Sequence, residues 1–318
     1  MAVRNELGEQ IKEQVRSAYG QVARRFVDAP AATGCGCGPA QGSSCCGSEA
    51  ELECECGAVD QAGCCGATDE ASCCCGASQE GPSRAERHGY SLEELSDLPE
   101  SVTEASLGCG NPTAIAGLQP GEVVLDLGSG GGIDCFLAAK RVGPNGQAIG
   151  LDMTTDMIRL ARRNAKKLGV NNVDFRYGEM EEMPFPDAYV DVVISNCVIN
   201  LSPDKDAVFG EIARVLKPGG RVSVSDIVTN GPLPEVLRDH SRSWAACVAG
   251  ALDESEYLDK MRAAGLTDVT VTDRVYASVE GLLDSPDVQA LIAQSDEPLT
   301  VQQLDQLIAS VTVTAHKP

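Results

Sequence analysis

The chain contains 318 residues, 43% of them hydrophobic, and carries a formal net charge of −22 at pH 7. This length is enough for one large domain with an appendage, and the acidic balance disfavours nucleic acid and anionic membranes as partners. No apolar run reaches the roughly 20 residues that span a bilayer, and the polar first residues do not resemble a signal peptide. We therefore expect a cytoplasmic, monomeric protein.

The first element predicted along the chain is an amphipathic helix over residues 5–27. Its apolar residues recur at three- and four-residue steps, which is the spacing of one helical face. They are Ile11, Val15, Tyr19, Val22 and Phe26. We assign residues 1–30 to this N-terminal helix, which either packs on the main domain or covers its pocket with Tyr19 facing the substrate.

A cysteine-rich, low-complexity segment follows over residues 31–87. Eleven of the fifteen cysteines fall between Cys35 and Cys75, in clusters that begin every nine to ten residues, and residues 28–83 contain no Lys or Arg. With few large apolar residues the segment cannot form a core, so we expect it to be disordered without a ligand. Because cytoplasmic thiols are kept reduced, metal binding or transient redox chemistry is favoured over a disulfide framework.

From about Gly89 onwards the sequence alternates between predicted strands and helices. Short connections between such elements are typical of an α/β fold with a doubly wound parallel sheet, which we assign to residues 88–230. Residues 231–318 are expected to form a small α+β appendage that ends in a possible strand, SVTVTAH. The predicted strands are 122–127, 147–152, 172–177, 189–195 and 221–228, and the helices follow Gly132 or span 154–168 and 204–216.

A glycine loop lies between the first predicted strand and its helix, in the segment LDLGSGGGIDC at 125–135. Gly128, Gly130 and Gly132 would allow a tight turn and close approach of a ligand to the backbone. A dinucleotide fingerprint would need glycine where this chain has Ile133, which argues against NAD or FAD. Asp152 ends the second strand, where it could accept hydrogen bonds from ribose hydroxyls. The pattern predicts nucleoside binding, with a purely structural turn as the alternative.

The combination of LDLGSGGG, GLDMT, YGEMEEMPF, ISNCVINL and RVLKPGG resembles the class I methyltransferases that use S-adenosylmethionine. The resemblance implies the Rossmann-like sheet of that class and S-adenosylmethionine as the cofactor. It puts Glu179 and Met180 beside the adenine and Asn196 near the methionine moiety, although loop polarity and packing would also explain these residues. The residues expected at the cofactor are Asp126, Gly128, Ser129, Gly130, Gly132, Asp152, Met153, Glu179, Met180 and Asn196.

Three cysteines stand in distinctive contexts, namely Cys109 in SLGCGNP, Cys197 in ISNCVINLSPDK and Cys247 in CVAGAL. With the glycine loop and GLDMT, these motifs resemble the arsenite methyltransferases, from about Gly89 to Leu252. The resemblance implies that the three thiolates hold trivalent arsenic, a soft centre that soft ligands select, while it is methylated in arsenic detoxification. Taken singly, each cysteine could instead be a small buried apolar residue, which is our interpretation of Cys135.

The same resemblance implies a cycle of thiols and a disulfide. Cys109 would form a disulfide with an N-terminal cysteine and so reduce the oxidised arsenic, after which thioredoxin or glutathione would reset the enzyme. Cys74, in the cluster Cys73–Cys75, best matches the expected partner, but the assignment stays open. The other candidates are Cys45, Cys46, Cys64 and Cys65. The rest of the segment either captures arsenite and passes it on or is an expanded linker.

Two other functions remain open at the level of sequence. A carbon or oxygen methyltransferase for a quinone or another small acceptor would carry a similar sheet and glycine loop. A soft-metal buffer or sensor with an inactive core would also use the cysteines, although the intact loop and Asp152 argue against it. The chain has only three histidines, which disfavours His-centred catalysis and fits arsenic acting as its own nucleophile.

Overall fold

The computed structural model describes residues 2–27, 83–231, 250–276 and 306–318. Most of the cysteine-rich segment therefore lies outside the described residues, together with Cys74 and Cys247. The N-terminal helix and the described residues from Ser83 onwards form one compact unit. None of the helices described combines the length and the apolar character that crossing a bilayer requires.

Within the described residues, seven strands form one central sheet. They are β1 (Val123–Leu127), β2 (Gln147–Asp152), β3 (Val173–Tyr177), β4 (Val190–Asn196), β5 (Leu216–Thr229), β6 (Thr267–Tyr276) and β7 (Ile308–His316). Their order across the sheet is β3-β2-β1-β4-β5-β7-β6. The first five strands pair in parallel, whereas β7 runs antiparallel to both of its neighbours. The predicted Rossmann-like, doubly wound sheet is confirmed.

Helices cover both faces of this sheet. Because successive residues of a strand point to opposite faces, β1 buries Val124 on one side and Leu125 on the other. Val124 packs with the helices that follow β1 and β2. Leu125 packs on the other face with the helices Lys205–Val215 and Glu254–Ala263. The helices are α1 (Ala2–Val27), α2 (Arg84–Arg87), α3 (Leu92–Leu95), α4 (Glu100–Thr103), α5 (Pro112–Ile115), α6 (Ile133–Val142), α7 (Thr155–Leu168), α8 (Lys205–Val215) and α9 (Glu254–Ala263).

The described residues of the segment 231–318, where the sequence predicts an α+β appendage, include strands that join the main sheet. Strand β7 lies between β5 and β6 and pairs with β5 over nine residues, from Arg221 opposite His316 to Thr229 opposite Ile308. The segment therefore contributes two strands to the main sheet. The alternation in SVTVTAH predicts a strand, but a pattern within one strand does not identify its partner.

Helix α1 packs along α7. Ala23 is fully buried and joins a small apolar cluster with Met157 and Leu160. Arg24 forms an ion pair with Asp156 in the first turn of α7. Two residues of α1 that precede this contact, Val15 and Tyr19, line a cavity of the domain, so the docking and covering roles considered from the sequence are compatible.

Candidate active site

The glycine loop turns the chain sharply between β1 and α6. Gly128, Gly130 and Gly132 have φ values of 66°, 50° and 97°, in the left-handed region that favours glycine. A Cβ atom at Gly128 would lie 2.4 Å from a methyl carbon of Val198. The loop borders a cavity, which we call the glycine-loop cavity. Val15 and Tyr19 of helix α1 form part of its wall.

Asp152 lies at the end of β2 and lines the glycine-loop cavity. Its carboxylate accepts hydrogen bonds from the backbone N–H of Gly130 at 2.9 Å and of Thr154 at 2.7 Å. Burial raises the pKa of Asp152, although these N–H donors oppose the shift. The two donors orient the carboxylate and leave it lone pairs for a ligand hydroxyl.

Asp126 and Cys135 lie beneath the loop rather than in the cavity. Cys135 is fully buried in the core, and its thiol donates a 3.3 Å hydrogen bond to Asp126. Burial and the neighbouring charge of Asp134 raise the pKa of Asp126 well above its usual range. Burial likewise raises the pKa of the Cys135 thiol. A thiol held protonated in this way serves packing, as expected from the sequence.

The two residues expected beside an adenine take different positions. Met180 lines the glycine-loop cavity. The carboxylate of Glu179 instead accepts hydrogen bonds from Lys12 and, at 2.6 Å, from Arg16, both on helix α1. Burial opposes ionisation of Glu179, but these two cations lower its pKa overall. Glu179 thus fastens helix α1 to the edge of the cavity.

Cys197 directly follows β4 and adopts a φ of 58°, which is unusual for a residue other than glycine. Its backbone N–H donates a 2.7 Å hydrogen bond to the carbonyl of Ser225 on the neighbouring strand. The residue is buried with Ile11, Val15 and Leu201 in an apolar cluster against which Cys109 and Tyr19 also pack.

Cys109 lies in the loop between α4 and α5, and its peptide groups are held from both sides. Its N–H donates to the side-chain oxygen of Asn196 at 2.9 Å, and its carbonyl accepts from the Ser310 hydroxyl at 2.9 Å. Cβ atoms at the flanking positions would lie 2.4 Å from the Asn196 side chain for Gly108 and 2.7 Å from the Ser225 hydroxyl for Gly110. The glycines of SLGCGNP therefore let the loop approach β4 and β5 closely.

A second cavity lies next to the two thiols, and we call it the thiol cavity. Cys109, Cys197 and two cationic residues, Arg25 and Arg84, line it. Cys197, together with Tyr19 and the 107–108 backbone segment, borders both cavities. Within the described residues there is no group of three or more His, Cys, Asp or Glu side chains placed to hold a metal ion. The predicted third thiolate, Cys247, falls outside them.

Sequence reasoning missed two buried, hydrogen-bonded pairs of polar side chains near the thiols. Asp226 on β5 accepts a 3.3 Å hydrogen bond from Tyr257, and burial raises the pKa of this carboxyl to about 7. Tyr90 donates to Asp134, whose pKa burial raises to about 6. Asp134 could have been noticed as an acidic residue in the first turn of the helix after the glycine loop. Nothing in the sequence links Tyr90, Tyr257 or Asp226 to the cysteines.

Comparisons with known proteins identify the family. A family model described as a methyltransferase domain matches residues 118–265. An arsenite methyltransferase of Halobacterium salinarum is 41% identical over 236 residues, covering 74% of this chain and 56% of that protein. The crystal structure of an arsenic (III) S-adenosylmethionine methyltransferase from Chlamydomonas reinhardtii has 33% identity and a TM-score of 0.57, and the match covers 74% of each chain. The chain belongs to the arsenite methyltransferase family.

Other members of the arsenite methyltransferase family extend beyond the matched region. The human arsenite methyltransferase is 39% identical over 169 residues, which are 50% of this chain and 44% of that protein. The chain spans about half the length of the curated relatives it matches. Homology at this level covers the methyltransferase sheet and supports S-adenosylmethionine as the cofactor of the domain.

The residues around the glycine-loop cavity fit this cofactor of the arsenite methyltransferases. The Ser129 hydroxyl is buried and has no hydrogen-bond partner among the described residues, so a polar group of a ligand would satisfy it. Asp152 offers acceptors for ribose hydroxyls. Of the residues expected at the cofactor, those lining the cavity are Gly128, Ser129, Gly130, Asp152, Met153, Met180 and Asn196, and those outside its lining are Asp126, Gly132 and Glu179.

Proposed function

We propose that this protein transfers a methyl group from S-adenosylmethionine to trivalent arsenic. The observation that carries the proposal is the position of Cys197, which lines both the glycine-loop cavity and the thiol cavity beside Cys109. An acceptor held by these thiols would lie against the wall that separates it from the methyl donor. Methyl transfer to carbon, oxygen or nitrogen gives no chemical reason for thiols at that wall.

The chain's own contribution is to hold and align the acceptor. Cys109, Cys197 and Cys247 bind arsenic as thiolates, since the deprotonated sulfur is the form that coordinates a soft ion. Three such bonds leave one lone pair on arsenic, and bound S-adenosylmethionine supplies the electrophilic methyl group for it. The lone pair is the nucleophile, so alignment matters more than a general base. Apolar residues around Cys197, including Ile11 and Leu201, keep water from this wall.

The new As–C bond takes both electrons of the arsenic lone pair, while the S–CH3 bond breaks with its electrons left on sulfur and S-adenosylhomocysteine is the leaving group. Arsenic would thereby become pentavalent, and a two-electron reduction must follow. We expect the thiolates of Cys109 and Cys74 to supply these electrons and to form a disulfide as arsenic returns to the trivalent state. Because Cys74 and Cys109 belong to one chain, this disulfide would be intramolecular.

A thiol reductant must then return the disulfide to two thiols. Thioredoxin or glutathione has the required chemistry, and both work in the reducing cytoplasm where we expect the protein. Which N-terminal cysteine forms the disulfide is decided by peptide mapping after a single turnover without reductant. A disulfide that joins Cys109 to a cysteine other than Cys74 would revise the partner and keep the cycle.

The decisive experiment is separation of arsenic species by chromatography with arsenic-specific detection. The reduced protein is incubated with arsenite, S-adenosylmethionine and a thiol, beside the variants Cys197→Ser and Cys135→Ser. We expect methylated arsenic from the wild type and none from Cys197→Ser. The variant Cys135→Ser is the matched control, because Cys135 is buried away from both cavities and a serine hydroxyl can still donate to Asp126.

Binding of S-adenosylhomocysteine confirms that each variant is folded. A folded wild type that binds this product but methylates no arsenic would refute the proposal. Methylation of a quinone instead would favour a carbon or oxygen methyltransferase, and tight arsenite binding without turnover would favour a soft-metal buffer. Deleting residues 35–65 while keeping Cys73–Cys75 tests whether the repeat delivers arsenite. If it does, the deletion lowers the rate of methylation at low arsenite concentration.

A further inference from the structure

A chain of hydrogen bonds connects the two cavities through the partly buried side chain of Asn196. Its oxygen accepts from the N–H groups of Cys109 at 2.9 Å and Gly110 at 3.3 Å. Its nitrogen donates to the carbonyl of Gly110 at 2.6 Å and to the hydroxyl of Tyr90 at 2.9 Å. Both ends of the carboxamide are therefore in use, and only one of its two flipped orientations satisfies all four contacts.

Tyr90 links Asn196, which itself lines the glycine-loop cavity, to a second residue of the cavity wall, Asp134. Its side chain is buried, and its hydroxyl lies 2.9 Å from each oxygen of Asp134, to which it donates. Asp134 stands in the first turn of α6 and lines the glycine-loop cavity. The chain Asp134–Tyr90–Asn196 thus runs from the wall of one cavity to the backbone of the Cys109 loop.

The hydroxyl of Tyr90 supports the orientation of Asn196 from the domain interior. Because the hydroxyl donates its proton to Asp134, it presents a lone pair to Asn196, and the side-chain nitrogen of Asn196 donates to it. The side-chain oxygen then points towards the Cys109 loop. Without the hydroxyl, the nitrogen keeps the Gly110 carbonyl and a long 3.4 Å contact with Asp134. The orientation that holds the Cys109 peptide would lose its main support from the domain interior.

We propose that Tyr90 is a positioning residue that holds Cys109 in place for arsenic and couples arsenic binding to the glycine-loop cavity through Asn196 and Asp134. This inference rests on the proposed function. It assigns no contact between Tyr90 and arsenic. It predicts that occupation of either cavity strengthens binding in the other, because each ligand orders one end of the same hydrogen-bond chain.

The test measures the dissociation constant of arsenite by equilibrium dialysis with arsenic detection, with and without S-adenosylhomocysteine. We expect S-adenosylhomocysteine to tighten arsenite binding to the wild type. In Tyr90→Phe we expect arsenite binding to weaken about tenfold, the usual effect of losing one buried hydrogen bond near a charged group. The coupling between the two ligands should fall, while S-adenosylhomocysteine alone binds within about twofold of wild type.

Two comparisons separate positioning from a general loss of structure. Tyr177→Phe is the matched control, because Tyr177 is 55% exposed and takes no part in these hydrogen bonds. In a double-mutant cycle, Tyr90→Phe should add little once Asn196→Ala is present, because Tyr90 acts through Asn196. Additive effects, or unchanged arsenite affinity and coupling in Tyr90→Phe, would overturn the inference. Failure of the wild type to bind arsenite at all would instead count against the proposed function.

Discussion

The substitution Gly128→Ala tests whether close packing of the glycine loop against Val198 shapes the glycine-loop cavity. Gly128 has a φ of 66°, and an added Cβ would lie 2.4, 2.8 and 2.9 Å from three carbon atoms of Val198. The left-handed backbone costs alanine about 1 kcal/mol, and overpacking adds about 1–3 kcal/mol. We therefore expect Gly128→Ala to lower the free energy of unfolding by about 2–4 kcal/mol.

Gly169 provides the matched control because its φ is 65° and nothing lies within 4 Å of its Cβ position. Gly169→Ala should lose only the backbone contribution, about 1 kcal/mol. Urea unfolding followed by far-ultraviolet circular dichroism measures both variants. S-adenosylhomocysteine affinity should fall in Gly128→Ala alone, because Val198 lines the cavity.

A second substitution locates the clash. Val198→Ala removes the two methyl carbons and leaves Cβ, which lies 2.8 Å from the added atom, so it should recover part of the loss in Gly128→Ala. Equal destabilisation by Gly128→Ala and Gly169→Ala, or no recovery with Val198→Ala, would refute the argument from packing.

Three further results are expected. Glu179→Gln removes the charge that pairs with Lys12 and Arg16 of α1. At low salt this variant should bind S-adenosylhomocysteine several-fold more weakly than the wild type, and at high salt the two affinities should become similar. Calorimetry at two ionic strengths measures both affinities, and an equal difference at both would contradict the expectation. Burial raises the pKa of Asp226 from 3.8 to about 7 in the folded protein. Between these two values the folded protein keeps a proton that the unfolded chain loses, so the free energy of unfolding of the wild type, relative to that of Asp226→Asn, should fall as pH rises from 4 to 8. A difference that does not change with pH in urea unfolding would contradict this expectation. After one turnover without reductant, peptide mapping should find Cys109 joined by a disulfide to the cysteine-rich segment. The variant Cys74→Ser should give a lower yield of this linked peptide. A Cys109 without a disulfide would exclude the disulfide step.

Local sequence was enough for the strands, helices and glycine loop because their signals lie within a few residues of each other. The strand before Gly128 and the helix after Gly132 are predicted by adjacent apolar patterns, and both occur where expected. Asp152 is fixed by the length of one helix and strand, so its place beside the loop follows from the spacing. The contexts of Cys109 and Cys197 likewise identified the thiols that line the thiol cavity.

Contacts between distant parts of the chain were decided only by the tertiary structure. Glu179 was expected beside an adenine, but its carboxylate pairs with Lys12, 167 residues earlier in the chain. Asn196 was expected near a methionine moiety, and it lines that cavity while also holding the Cys109 peptide from 87 residues away. The insertion of β7 between β5 and β6 is of the same kind.

The physical reason is the range of each interaction. The periodicity of apolar residues and the residue preferences of turns depend on positions only a few residues apart, so a short stretch of sequence is enough to predict them. The partner of a charged or polar side chain depends instead on which surfaces meet after the sheet has formed, and many pairings satisfy the same group equally well. The sequence by itself therefore determined the elements of the fold and the chemical types at the site. The folded structure decided that the thiols and the glycine loop share a wall, and that Asn196 connects them.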